Sequence, residues 1–162
     1  MTAQSDGPDA MPLLLLRHAK SSWDQPEPDH ARPLNARGRR DAPVMARRLH
    51  GLGFAPARVL CSPARRTRET YEGMAPHWPL PPPVFLSTLY ETGADALSAV
   101  LAEFGSSGTL LIGHNPGLQD LTARLVDGPP VARFPTGAAA VIDPRKRALL
   151  AFLTPKDDPG PR

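Results

Sequence analysis

Two histidines of this 162-residue chain stand where apolar runs end. His18 closes Leu16-Arg17-His18 after the run Met11 to Leu16, and His114 lies in Ile112-Gly113-His114-Asn115-Pro116-Gly117 after Thr109 to Ile112. Between them, Cys61-Ser62-Pro63-Ala64-Arg65-Arg66-Thr67-Arg68-Glu69-Thr70 follows a third run, Arg58 to Leu60. A guanidinium grips the oxygens of phosphate or carboxylate in a bidentate fork. A neutral imidazole beside it is a competent nucleophile toward phosphorus, and arginines steady the charge on a phosphoryl group in transfer. Three strand ends carrying Arg17, His18, Arg66 and His114 therefore suggest one site that binds a dianion and attacks it.

The elements around these segments can be read from spacing. The three apolar runs read as short buried strands. Residues 21–34 are polar and turn-rich, which predicts a loop over the first strand end. Asn35 is suited to cap a helix running to about His50 and stopping at Gly51 and Gly53, with Pro43 expected to kink it or shift its start. Ser62-Pro63 has the form of an N-cap followed by Pro at the first helical position, opening a helix to about Met74. Pro76 to Pro83 is stiff and extended, and Val84 to Leu86 is a short strand candidate. Apolar residues Leu97, Val100, Leu101 and Phe104 have helical spacing, Asn115-Pro116 repeats the helix-start pattern, and Leu118, Leu121 and Leu125 form a stripe. Ala138 to Ile142 and Ala148 to Leu153 read as a closing hairpin.

Strands alternating with helices predict an α/β protein, a three-layer α/β/α arrangement with a mainly parallel central sheet. Ligands of such sheets bind beyond the carboxyl ends of the strands, where His18, Ser62 to Arg66 and His114 all fall. Two of these segments also open helices, whose N-termini present free N–H groups and partial positive charge to an anion.

The whole chain sets outer bounds. Its length fits one domain, expected over 11–154 between a disordered tail at 1–10 and a flexible one at 155–162. The single cysteine, Cys61, excludes an internal disulfide and a Cys-rich metal site. No His-x-x-x-His or carboxylate cluster has metal-ligand spacing, so neither metal nor cofactor is expected. The polar start lacks the features of a signal peptide and no apolar stretch approaches the ~20 residues of a membrane helix, which predicts a cytoplasmic protein without a membrane partner. Net charge is +3 with a pI near 9.5, and the excess of arginine in the first half favours an acidic substrate or partner. With 6% aromatic residues and no interleaved basic-aromatic stretch, no nucleic-acid partner is expected.

Leu16-Arg17-His18-Ala19-Lys20, Ser62-Pro63-x-x-Arg66-x-x-x-Thr70 and Gly113-His114-Asn115-Pro116-Gly117, in this order, resemble the histidine phosphatase superfamily, whose fold is phosphoglycerate-mutase-like. The short chain is similar to its SixA-like branch of phosphohistidine phosphatases. The likeness covers 12 to about 153 and includes Arg32-Pro33-Leu34-Asn35-x-x-Gly38. It implies that His18 is the nucleophile that becomes phosphorylated, that Arg17 and Arg66 bind the phosphoryl group, and that His114 contacts it and stabilises its transition state. Arg65 and Arg68 are then surface residues. Two positions depart from the pattern: Ala19 replaces the usual glycine, and Asp24 follows Trp23 where mutase-like members carry a phosphate-binding Asn. An ionised Asp cannot donate to phosphate, so Asp24 is not assigned to binding.

The resemblance leaves the general acid open. Glu91, in Leu89-Tyr90-Glu91-Thr92, is the nearest candidate for protonating a leaving oxygen, and equally reads as a surface glutamate at a loop. A phosphohistidine P–N bond is labile and needs a weaker acid than an alkyl ester does. The expected activity is a metal-independent phosphatase acting on phosphohistidine of a phosphorylated protein. A general phosphomonoesterase of small molecules and a non-catalytic phospho-ligand-binding domain are the alternatives. His30, His50 and His77 read as structural, Trp23 and Trp78 as packing or rim residues, and Cys61 as a core residue of its strand.

Overall fold

The computed structural model describes residues 11–24 and 26–157. The tail expected at 1–10 lies outside them. So does the end from 158 onward, while the first residues of the expected C-terminal tail form a 3₁₀ turn, Pro155–Asp157. In chain order the elements are β1 (Leu13–Arg17), α1 (Ala36–Gly51), β2 (Arg58–Cys61), α2 (Arg65–Met74), β3 (Pro83–Phe85), α3 (Ala94–Phe104), β4 (Thr109–Gly113), α4 (Gly117–Leu125), β5 (Ala139–Asp143) and β6 (Ala148–Leu153). They form one six-stranded sheet of order β3-β2-β4-β1-β5-β6. β1 to β4 run parallel, and β5 turns back against β1 to pair with β6 as the expected hairpin.

The leucines of β1 alternate between the two faces, as strand geometry requires. Leu14 and Leu16 pack with Met45 and Leu49 of α1 and Met74 of α2, whereas Leu13 and Leu15 pack with Leu97 and Leu101 of α3 and Leu118 and Leu121 of α4. A sheet buried on both faces reads as continuous apolar runs, and this accounts for the three runs that mark β1, β2 and β4. The three-layer arrangement is as the sequence predicts.

Helix boundaries differ at three points. Asn35 caps α1 by accepting from the Gly38 N–H at 2.9 Å, as expected, but Pro43 neither ends the helix nor moves its start. Its neighbours Ala42, Met45, Ala46 and Leu49 bury the inner face, which outweighs the ~3 kcal/mol cost of an interior proline. Ser62 is not the cap of α2: the helix begins at Arg65 with Ala64 at its edge and no side-chain cap. The Ser62 hydroxyl is turned to His114 instead. Likewise Pro116 is the boundary residue of α4 rather than its first helical residue, and Asn115 Oδ1 reaches the Gln119 N–H at 3.1 Å.

Candidate active site

Register in the sheet brings the two histidines together. Arg17 is opposite Gly113, and Cys61 opposite Ile112, so β2, β4 and β1 end side by side. The His18 N–H donates to Gly113 O at 3.1 Å, and Gly137 N–H donates to the carbonyls of Arg17 and His18 at 3.1 and 2.9 Å. Thr70 of α2 fixes the next residue: its Oγ1 accepts from the Ala19 N–H at 3.0 Å and donates to Arg66 O at 2.7 Å. The backbone of the Arg17-His18-Ala19 segment is thus held from β4, from the loop before β5 and from α2.

His18 is 6% exposed. Its Nδ1 lies 2.7 Å from Ala19 O, and a carbonyl only accepts, so Nδ1 carries the proton and Nε2 keeps its lone pair. Burial, chiefly, lowers its pKa to about 3, with His114, Arg66 and Arg17 adding to the effect and the Ala19 hydrogen bond opposing it. At neutral pH His18 is an uncharged imidazole with a free Nε2.

The His114 ring sits 5.3 Å from that of His18, centroid to centroid, and is 5% exposed. Its Nε2 is 2.8 Å from Ser62 Oγ and its Nδ1 3.4 Å from Arg66 Nη2. A guanidinium only donates, so Nδ1 accepts here and Nε2–H donates to Ser62. Burial first, and Arg66 second, lower its pKa to about 3.

Both expected arginines reach the same place. Arg66, 2% exposed, donates Nη1 to Asp29 O at 2.7 Å and Nη2 to Asp29 Oδ2 at 3.0 Å and Glu91 Oε2 at 3.3 Å. Arg17 Nη1 is held by Phe134 O at 2.9 Å. The Nε of each arginine is buried without a partner. Buried donors are ordinarily satisfied, so these two N–H groups are left for an oxygen that the protein itself does not supply.

Glu91 is at the mouth of this pocket, its side chain about half exposed, and its backbone has φ 49°, the left-handed region that non-glycine residues rarely adopt. Asp29 stands beside it. Asp29 accepts from Tyr90 Oη at 2.6 Å and, through Oδ1, from Arg32 Nε at 3.2 Å. Burial would raise the Asp29 pKa, but hydrogen bonds from Tyr90 and Arg66 and the Arg66 charge hold it well below the usual carboxylate range. Burial and then the Asp29 carboxylate raise that of Glu91. Of the two carboxyls, Asp29 is thus the more readily ionised and Glu91 the less so.

Sequence reasoning gave no site role to Asp29 or Tyr90, took Ser62 for a helix cap, and held Thr70 only as part of a motif. The Arg32 to Gly38 motif proves to be the strap that anchors the loop at 21–34. Arg32 is buried and donates to Ser21 Oγ at 2.8 Å and Ser22 O at 3.1 Å, Leu34 N–H donates to Glu69 Oε1 at 2.8 Å, and a Cβ on Gly38 would overlap the Lys20 carbonyl. Anchored in this way, the loop places its 3₁₀ turn Asp29–Ala31 on Arg66. The i, i+3 pair Asp29/Arg32 was the one signal available in the sequence.

Other readings resolve simply. His50 and His77 are exposed and remote from the pocket, but His30 is a rim residue whose ring packs edge-on against Tyr90 at 4.7 Å. Trp78 is buried; Trp23 is 73% exposed beneath the Arg32 guanidinium at 3.5 Å. Asp24 is exposed. Cys61 is fully buried and burial pushes its thiol up to about 12, so it is inert. Among the described residues no helix is long and apolar enough to cross a membrane.

Comparison with known proteins bears on the family and the fold. The sequence pattern of the histidine phosphatase superfamily (branch 1) matches residues 13–97. An uncharacterised chloroplastic protein of Arabidopsis thaliana is 33% identical over 127 residues, 70% of this chain, which spans 58% of that relative. An uncharacterised protein of Mycobacterium tuberculosis is 30% identical over 87% of this chain and 100% of its own length. A solved structure of the protein histidine phosphatase SixA complexed with tungstate superposes with a TM-score of 0.80 at 28% identity, covering 91% of this chain and 99% of that one. The chain belongs to the histidine phosphatase superfamily.

Proposed function

We propose that the protein hydrolyses phosphohistidine on a phosphorylated protein, through a phosphoryl group carried transiently on His18. The observation that carries this reading is the state of His18: neutral, its Nδ1 proton committed to Ala19 and its Nε2 free, 5.3 Å from the His114 ring and beside two arginines with orphaned N–H groups. The likeness to SixA, whose structure holds the oxyanion tungstate, supports the same reading.

In the first step, His18 Nε2 forms a bond to phosphorus as the substrate P–N bond breaks, and the substrate imidazole, its other ring nitrogen already protonated from solvent, leaves as the neutral ring. Arg17 and Arg66 bind the equatorial oxygens. His114 meets the same oxygens when its proton moves to Nδ1; Ser62 permits that tautomer because its hydroxyl can donate to Nε2 in exchange, and Arg66 Nη2 then donates to the phosphoryl group in place of Nδ1. In the second step water attacks phosphorus, the bond to His18 breaks, and inorganic phosphate leaves. Arg66 is already fixed beside His114 and Arg17 beside His18 before substrate binds, so little reorganisation is needed.

A second reading, a general phosphomonoesterase, draws on Glu91. Its carboxyl lies at the pocket mouth with a raised pKa and could protonate an alkoxide leaving group. Phosphate release from a phosphohistidine-bearing protein, p-nitrophenyl phosphate and a phosphoserine peptide separates the two. Preference for phosphohistidine is the expected result; faster turnover of the oxygen esters would overturn it in favour of the second reading.

A further inference from the structure

Beside the pocket a groove of about 590 Å³ is lined by Arg17, Lys20, Arg37, Arg133 and Lys156 with no Asp or Glu on its walls. These five cations come from four separate places: the end of β1 and the residues after it, the first turn of α1, the loop before β5, and the 3₁₀ turn after β6. Arg37 is partly offset by Asp41 at 3.5 Å, but among the described residues Lys20, Arg133 and Lys156 take part in no ion pair. Unpaired like charges gathered in one concavity repel one another and focus a positive potential there.

The groove is continuous with the active site through Arg17, which lines it and also precedes His18. We infer that it is a recognition groove for acidic side chains flanking the phosphohistidine of the protein substrate. The inference rests on the phosphohistidine reading above. A second phosphate of a small metabolite would need buried donors converging on one point. Arg133 and Lys156 are instead exposed, and lysine and arginine tips spread along an open groove suit carboxylates spaced along a partner surface. Such complementarity steers encounter and selects partners.

The test uses the intact protein and peptides that bear the stable analogue phosphoryltriazolylalanine, flanked either by Asp and Glu or by Ser and Gly. At low ionic strength the acidic flanks tighten binding by about ten-fold, within the range electrostatic steering supplies. The double variant R133E/K156E loses that gain and leaves hydrolysis of p-nitrophenyl phosphate unchanged. In about 1 M salt, where the screening length falls to ~3 Å, wild type and variant bind both peptides alike. Equal binding of the two peptides by the wild type would overturn the groove assignment while leaving phosphohistidine hydrolysis untouched. Loss of affinity in the variant for a small bisphosphate but not for the acidic peptide would also overturn it, assigning the groove to a metabolite. Failure of the wild type to release phosphate from a phosphohistidine protein would instead strike the functional reading itself.

Discussion

Asp29 holds Arg66 at both ends of its guanidinium: the Asp29 carbonyl accepts from Nη1 at 2.7 Å, and Oδ2 accepts from Nη2 at 3.0 Å. The arginine proposed to bind phosphate is therefore aimed by a carboxylate that would also compete, by its charge, with an incoming dianion. Replacing Asp29 by Ala separates the two effects. The expected outcome is tighter inhibition by inorganic phosphate together with a roughly ten-fold fall in kcat, equivalent to ~1.4 kcal/mol of lost transition-state stabilisation. Unchanged values of both would show that Asp29 neither aims Arg66 nor opposes the ligand.

Glu91 offers a prediction about leaving groups. Held at the mouth beside Arg66 and Asp29 with a raised pKa, it matters where the departing atom is a poor leaving group. Glu91→Gln is expected to slow alkyl and aryl phosphates by about 10²-fold, the lower range for a general acid, and phosphohistidine by much less. Equal losses on all substrates would mean that Glu91 acts on Arg66 alone.

The two site histidines make stability depend on pH. Each has a folded pKa of about 3 against an ordinary value of 6.5. Between those values the unfolded chain binds protons that the native pocket refuses, so stability rises with pH through this window. It is fully present above about 6.5 and is lost as pH falls toward 3. Urea unfolding from pH 7 to 4 should show the decline, and the double variant His18→Ala/His114→Ala should show a shallower one. Identical slopes would contradict neutral buried imidazoles.

Gly117, the last residue of the Gly-His-Asn-Pro-Gly motif, is required for a close approach. A Cβ there would overlap the Thr92 carbonyl, so the start of α4 and the loop bearing Tyr90 and Glu91 meet backbone to backbone. Gly117→Ala is expected to destabilise the fold by about 1–3 kcal/mol, as overpacking does. It should also weaken the hydrogen bond from Tyr90 to Asp29, lowering activity at temperatures where the protein is still folded. A wild-type melting temperature with wild-type activity would remove this account.

The legible parts of the molecule were those with a local signature. Apolar runs located β1, β2 and β4, and because parallel strands align their ends, position alone set His18, the segment Ser62 to Arg66 and His114 at one edge, whereas the family resemblance separated Arg66 from Arg65 and Arg68. Asp29 was not legible: it lies in an aperiodic loop, and its partner Arg66 is 37 residues away in sequence. Ser62 was misread because Ser-Pro is a sound local signal for a helix start. The competing demand, a partner for the buried His114 ring 52 residues on, is tertiary. Pro43 shows the same override, a local breaker retained because the helix face around it is buried. The cationic groove had no signature either, since its members are scattered from Arg17 to Lys156.

The central claim is covalent chemistry at His18, and it is tested by alkaline quench of the enzyme during turnover of a phosphohistidine-bearing protein, followed by mass spectrometry of the intact chain and its peptides. The account predicts one acid-labile phosphoryl group on His18, absent from His18→Ala, which should lose activity by roughly 10³-fold or more. Turnover without a phosphorylated enzyme, a phosphoryl group on another residue, or an active His18→Ala variant would contradict it.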